Sequence, residues 1–252
     1  MQGGPAAIVS AMHEELRALL PLLDDRHTVR LAGRDFHHGV IHGRPVVLAL
    51  SGIGKVAAAT TAVLLMHAFD ARQLVFTGVA GGLAAGVNVG DVVVARQLLQ
   101  HDMDASPLFP RFEVPLTGRS RFDADAALAD ALVAAAQLGT GARVHEGLII
   151  SGDRFVSSAA ESSALRTLLP DALAVEMEGA AVAQACADFG RPFAVVRTIS
   201  DRADDEAHVD FARFIEEVAS AATRVIIEEW LLHARASAGP LPSGPSAPAG
   251  GS

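Results

Sequence analysis

Residues Ala174 to Asp201 read A-V-E-M-E-G-A-A-V-A-Q-A-C-A-D-F-G-R-P-F-A-V-V-R-T-I-S-D, and this stretch decides the fold. Its alanine-rich middle, Glu178 to Ala187, is good helix material because alanine loses no side-chain entropy on ordering. Gly190 supplies the stop, and Pro192 follows just after it. Phe193 to Ile199 is a mostly apolar run of strand length and predicts a buried strand ending at Ser200-Asp201. In open α/β sheets, sites gather at the carboxyl ends of strands, and Asp201 has that address. Glu176, Glu178 and Asp201 bracket the helix and the strand. A carboxylate at the mouth of a buried element is costly unless it has a task. A plainer reading makes these acids helix caps and solvated turn residues, and the stretch alone leaves both readings open.

The same grammar recurs upstream. Ala6 to Ser10 reads as a first buried strand, and Ala11 to Leu23 carries Met12, Leu16, Leu19, Leu20 and Leu23 at helical spacing. Ser10 is placed to cap that helix, and Glu14 and Glu15 suit its first turn. His27 to Leu31, Arg34 to Ile41 and Pro45 to Leu50 predict a meander with turns at Gly33 and His42-Gly43. His37, His38 and His42 read as solvated rather than as metal ligands. Ser51-Gly52-Ile53-Gly54-Lys55 then opens an apolar helix, Val56 to Phe69. Such a turn can cradle an anion, but its spacing fits neither a P-loop nor a dinucleotide fingerprint. Gln73 to Thr77 is a strand leading into Gly78-Val79-Ala80-Gly81-Gly82, small residues that predict a loop lying close to a flat ligand.

Asp91 to Ala95 predicts a further strand. His101 to Gly118 is irregular, punctuated by Pro107, Pro110 and Pro115. Its Leu108, Phe109 and Phe112 predict cover from the body or a partner subunit. Asp123 to Leu138 reads as an amphipathic helix capped by Asp123, and Arg143 to Ile150 as a strand ending in S-G-D-R-F-V. Phe155 there either stacks on a ring or plugs the core. Ser162 to Leu169 is a short helix, and Leu173 to Val175 leads back to the opening stretch. Arg202 to Asp210 reads as a solvated loop or a lid, and Phe211 to His233 as a long amphipathic helix. Residues 236–252 turn to Gly, Pro, Ser and Ala and predict a disordered tail. The sum is one α/β domain over residues 1–235, with a central mixed, largely parallel twisted sheet flanked by helices.

Composition narrows the function. Half of the 252 residues are hydrophobic, enough for a sizeable core. A formal net charge of -9 leaves no general electrostatic footprint for nucleic acid or an anionic membrane. The single cysteine, Cys186, excludes an internal disulfide and any cysteine-cluster metal site. Lys55 is the only lysine and reads as compositional bias. The first residues lack a basic region before Glu14-Glu15, and no apolar run reaches the ~20 residues that span a bilayer. These features predict a soluble, cytoplasmic protein.

Five pieces in order carry a resemblance: S-A-M-H-E-E, S-G-I-G-K-V-A-A-A, T-G-V-A-G-G-L, S-G-D-R-F-V, and A-V-E-M-E-G-A-A-V-A followed by V-V-R-T-I-S-D-R-A-D. Over residues 6 to 233 the chain resembles the methylthioadenosine/S-adenosylhomocysteine nucleosidases of the nucleoside phosphorylase superfamily. The resemblance implies hydrolysis of the bond between adenine and a 5′-thio-substituted ribose, on that superfamily's single α/β domain. It also implies a homodimer that uses no metal or organic cofactor. It assigns Asp201 as the acid that protonates adenine N7 and Glu15 as the base that activates water. Glu178 with Met177, beside Glu176, would hold the ribose hydroxyls. Phe155 would stack on adenine and the Val156 backbone would pair with its edge. Ile53, Ala80, Gly81, Arg197, Ser200 and Phe211 would line the pocket, and Ala105 and Leu108 would close the 5′ end of the partner's site.

The chemistry asks for these residue types. Adenine leaves poorly as an anion, so a proton must reach N7 as the C1′–N9 bond breaks, and a carboxylic acid whose pKa is lifted by burial can supply it. The ribose gains oxocarbenium character, and water attacks the face opposite the base, so a second carboxylate is needed across the sugar. Two departures from the family pattern stand out. Val79 replaces the usual serine, and the run Pro107 to Pro115 differs from the common loop over the 5′ group. Three rivals follow. Phosphorolysis needs a pocket for phosphate, where Glu14 and Glu15 stand instead, at about 4 kcal/mol per charge pair at 4 Å and an effective dielectric of 20. A hydrolase for another 5′-modified adenosine, such as aminodeoxyfutalosine, suits the altered loop. An adenosine-binding sensor without turnover would lack one of Glu15, Glu178 and Asp201, and all three are present.

Overall fold

The computed structural model describes residues 4–205, 207–208, 214 and 220–233. The expected tail, Phe211, and the 209–213 and 215–219 parts of the expected lid and last helix lie outside the described residues.

Among the described residues, ten strands form one mixed sheet. In chain order they are β1 (Ala6–Ser10), β2 (Asp24–Leu31), β3 (Arg34–Ile41), β4 (Arg44–Leu50), β5 (Gln73–Gly82), β6 (Val92–Gln100), β7 (Arg121–Asp123), β8 (Val144–Ser151), β9 (Ala172–Glu176) and β10 (Phe193–Asp201). The helices are α1 (His13–Leu19), α2 (Lys55–Ala68), α3 (Ala126–Thr140), α4 (Ala159–Leu168), α5 (Gly179–Asp188) and α6 (Ser220–His233). The meander β2-β3-β4 is antiparallel, and β4, β1, β5 and β10 run parallel side by side. β10 then pairs with β6, β6 with β8, β8 with β9, and β9 returns to the end of β5. The strands β5-β10-β6-β8-β9 therefore close a ring, which removes the edges that an open sheet would leave there.

Burial follows the pairing. β10 is buried along its whole length, as its mostly apolar run predicts, with Arg197 paired inside it. β2 is exposed at every residue and carries the charges Asp24, Asp25, Arg26 and Arg30, which suit an unpaired edge. On one face of the sheet, α2 and α5 cover Phe36, Leu74, Phe76 and Val195, with Leu65 of α2 buried against them. On the other, α1, α3 and α6 cover Ile8, Leu48, Val75 and Val196, with Trp230 of α6 almost fully buried. Each fully buried Leu, Ile, Val or Phe of this kind contributes about 1.5–3 kcal/mol.

Three local expectations change. The Gly78 to Gly82 run is not a loop but the second half of β5, because β10 and β9 supply backbone partners for it. Ser10 does not cap α1: it ends β1 and is buried, and the Met12 amide at the helix start is taken by Glu15 Oε2 at 3.2 Å. Asp123 does not cap α3. Pairing with β6 draws it into β7, and Asp125 is the cap, accepting the Leu128 amide at 2.8 Å.

Candidate active site

The parallel strands set the site. β5 lies between β1 and β10 with all three carboxyl ends on one side. Glu15 stands in the first turn after β1, and Asp201 is the last residue of β10. Between them β5 contributes small residues. A Cβ on Gly78 would fall 2.5 Å from an Arg197 guanidinium nitrogen and 2.8 Å from Glu15 Oε1. A Cβ on Gly81 would fall 2.9 Å from Asp201 Oδ1. Real Cβ contacts are not that short, so glycine at these positions is what lets the two acids approach the strand between them.

Glu15 and Asp201 line one cavity of about 430 Å³, within the size range of small-molecule sites. Of the residues singled out from sequence, Ile53, Ala80, Gly81, Phe155, Glu176, Met177, Glu178, Arg197 and Ser200 line it too. Phe155 remains 39 % exposed, so its ring is a wall of the cavity rather than a plug of the core. Val156 is different: its side chain is buried among Leu99, Ile150 and Leu165 and does not line the cavity. Ala105 and Leu108 do not line it either, and Leu108 is 84 % exposed on the loop after β6. Val79, noted above as a departure from the family pattern, lines the cavity, and so do Ala11, Met12, Val175 and His208, which had not been singled out for it. His208 falls in the acidic run after Asp201, which reads from composition as a solvated loop or a lid and marks no single residue. A larger groove of about 680 Å³ between α1 and the β2–β3 hairpin contains none of the expected site residues.

The acids differ in what they hold. Glu176 is committed: it pairs with Arg197, accepts the Ser151 hydroxyl, and takes the Gly179 amide at 2.8 and 3.0 Å and the Glu178 amide at 3.2 Å. Its lone pairs therefore fix the start of α5 and the guanidinium, which also stacks on Phe76 at 4.2 Å. Glu178 accepts the Gly54 amide at 2.8 Å through Oε1 and lies 3.8 Å from Arg197. Burial first, then the neighbouring Glu176 charge, raises its pKa against the pull of Arg197. Glu15 is 1 % exposed, and burial pushes its pKa up to about 7 despite Arg197 and three backbone amides. Asp201, equally buried, accepts the Ser200 hydroxyl on Oδ2 and the Ala203 amide on Oδ1, both at 2.8 Å. A hydroxyl can donate or accept, so Ser200 suits either protonation state of Asp201.

This arrangement brings together on one cavity two buried carboxyl groups, Glu15 and Asp201, a carboxylate anchored beside a guanidinium, and an aromatic wall. Among the described residues no cluster of His, Cys, Asp or Glu could hold a metal ion. No described helix is long and apolar enough to cross a membrane.

Comparison with known proteins agrees with the geometry. The phosphorylase superfamily model matches residues 5–229. A 5′-methylthioadenosine/S-adenosylhomocysteine nucleosidase of Geobacillus thermodenitrificans (strain NG80-2) is 37% identical over 223 residues, covering 88% of this chain and 94% of that protein. The Neisseria meningitidis nucleosidase of the same name, solved with methylthio-immucillin-A, superposes with a TM-score of 0.87 at 37% identity, covering 90% of this chain and 98% of the other. A futalosine hydrolase mutant of Helicobacter pylori superposes with a TM-score of 0.83 at 35% identity, over 90% and 98% of the two chains. The chain belongs to the phosphorylase superfamily and, within it, to the 5′-methylthioadenosine/S-adenosylhomocysteine nucleosidases.

Proposed function

We propose that the protein hydrolyses the N-glycosidic bond of 5′-methylthioadenosine and S-adenosylhomocysteine, releasing adenine and the thioribose. One observation carries the reading: two buried carboxyl groups, Glu15 and Asp201, enter a single nucleoside-sized cavity from strand ends on either side of a glycine-rich strand. Asp201 gives its proton to adenine N7 as the C1′–N9 bond lengthens. Glu15, titrating near pH 7, takes a proton from water as it attacks C1′, close to the best match for a general base at neutral pH. Glu178, oriented by the Gly54 amide and Arg197, accepts from the ribose hydroxyls beside Met177. Phe155 stacks on the purine, and the Val156 backbone pairs with its edge.

The proposal includes a homodimer in which Ala105 and Leu108 close the partner's 5′ subsite. Its support is the exposure of large apolar side chains, Leu108, Val56 and Ile53. It also places the protein in the cytoplasm, in keeping with a single, buried cysteine. A second reading, hydrolysis of another 5′-modified adenosine, draws on the futalosine hydrolase neighbour and the unusual Pro107 to Pro115 loop.

The deciding experiment measures free adenine from methylthioadenosine, adenosylhomocysteine and aminodeoxyfutalosine, with and without phosphate. Phosphate-independent release, with the highest kcat/KM for the two thio-substrates, is expected. Release that vanishes without phosphate would make the protein a phosphorylase.

A further inference from the structure

The protein's only lysine sits at the centre of a bonded cluster beside the cavity mouth. Lys55 Nζ donates to Asp102 Oδ1 at 2.5 Å and to Gln100 Oε1 at 3.2 Å, and its side chain is only 15% exposed. The other oxygen of Asp102 accepts the Asp153 amide at 2.9 Å. The Asp153 carboxylate in turn accepts the Lys55 amide at 2.7 Å. Three segments meet in this circuit: the 51–55 turn that carries Ile53, the end of β6, and the 151–156 turn that carries Phe155. Ile53 and Phe155 are both walls of the cavity.

The circuit reaches Glu178, the acid proposed to hold the ribose, through one more bond. Gly54 is the residue before α2 and has no side chain to cap it. The first amides of a helix need acceptors from elsewhere, and carboxylates suit that end of the helix dipole. Glu178 takes the Gly54 amide and Asp153 takes the Lys55 amide, so the start of α2 is held by two carboxylates from distant loops.

We infer that Lys55 and Asp102 are positioning residues: their ion pair sets the gap between the Ile53 and Phe155 walls and keeps the Gly54 amide on Glu178. Neither touches the cavity itself. Burial alone would raise the Asp102 carboxyl. The Lys55 hydrogen bond and the Asp153 amide outweigh it and hold the group below its ordinary value, so it is ionised at neutral pH. Asparagine at 102 would keep the shape but not the function of that group. Both oxygens of Asp102 accept from donors, and an amide must turn its own NH₂ toward one of them.

This inference takes the nucleosidase reading for its kinetic arm, so the experiment has two arms. In the first, Asp102→Asn, Lys55→Met and the double variant are assayed for methylthioadenosine hydrolysis. Losing one partly buried, charge-assisted bond is expected to raise KM about ten-fold in each single variant. kcat should stay within about three-fold, and the double variant should be no worse than either single. In the second arm, amide hydrogen exchange of residues 50–58 and 151–157 is followed in the same proteins without substrate. Exchange of the Gly54, Lys55 and Asp153 amides should speed up about ten-fold while α3 and β10 are unchanged. Unchanged exchange at those three amides, a KM shift below two-fold, or single effects that multiply in the double variant would each overturn the inference. A wild-type protein that releases no adenine would sink the nucleosidase reading, and the exchange arm would still decide the clamp.

Discussion

Replacing Glu15 by glutamine should make the protein more stable at alkaline pH while removing its activity. The carboxyl is buried, and its pKa stands at about 7 against 4.5 in an unfolded chain. Between those values the unfolded chain has released the proton that the native chain still holds. Native stability therefore falls as pH rises from 4.5 to 7 and is level above, at a cost of about 3 kcal/mol. Glutamine never ionises, so it escapes that cost. Its oxygen can still accept the Met12 amide that Glu15 Oε2 holds at 3.2 Å, but its NH₂ needs a new acceptor, which returns about 1 kcal/mol. Glu178 titrates in both proteins and cancels to first order. The useful quantity is the swing in relative stability between pH 5 and pH 8.5, about 2.5 kcal/mol, or about 5–10 °C in Tm for a domain of this size. Calorimetric melts of wild type and Glu15→Gln across that range measure it directly. A difference in Tm that does not grow with pH would refute the raised pKa, and with it the account of Glu15 as a base poised at neutrality. Hydrolysis by the variant should fall by about 10²–10⁴-fold, in keeping with the loss of a general base.

Asp201→Asn should lower kcat by about 10²–10⁴-fold with KM little changed, because it deletes the transferred proton and keeps the shape; single-turnover adenine release would measure this. Arg197→Met should destabilise the fold by about 3–5 kcal/mol in urea melts, since it strands the Glu176 charge at 2% side-chain exposure. Gly81→Ala should cut kcat at least ten-fold, because its Cβ would meet Asp201 Oδ1 at 2.9 Å and Ala203 Cβ at 3.0 Å. Gly86→Ala, with nothing within 4 Å of the added carbon, should match wild type in the same assay.

Much of this site is legible one element at a time. The alanine-rich run and Gly190 mark α5, the apolar run marks β10, and Asp201 falls where a strand ends. The meander is equally readable, because its turns and alternation are local. Where reading fails, a distant partner decides. Gly78 to Gly82 has the composition of a loop, yet it is strand because β10 and β9 pair with it from more than 90 residues away. Asp123 reads as the cap of α3, yet β6 claims it as strand and Asp125 caps the helix instead. Glu176 and Glu178 are two residues apart and look interchangeable. Only the tertiary structure tells them apart: Glu176 takes the Arg197 guanidinium, the Ser151 hydroxyl and the amides at the start of α5, and Glu178 takes the Gly54 amide.

The amino-acid order by itself therefore determined the alternation of strands and helices, the acids at the strand ends and the glycines between them. Those properties depend on neighbours within a turn or two. The closed ring of strands, the shared cavity of Glu15 and Asp201, and the tie from Lys55 to Asp102 were decided in three dimensions. Hydrogen-bond partners, burial and the pKa of a buried carboxyl depend on which distant segments pack together, and no local spacing encodes that.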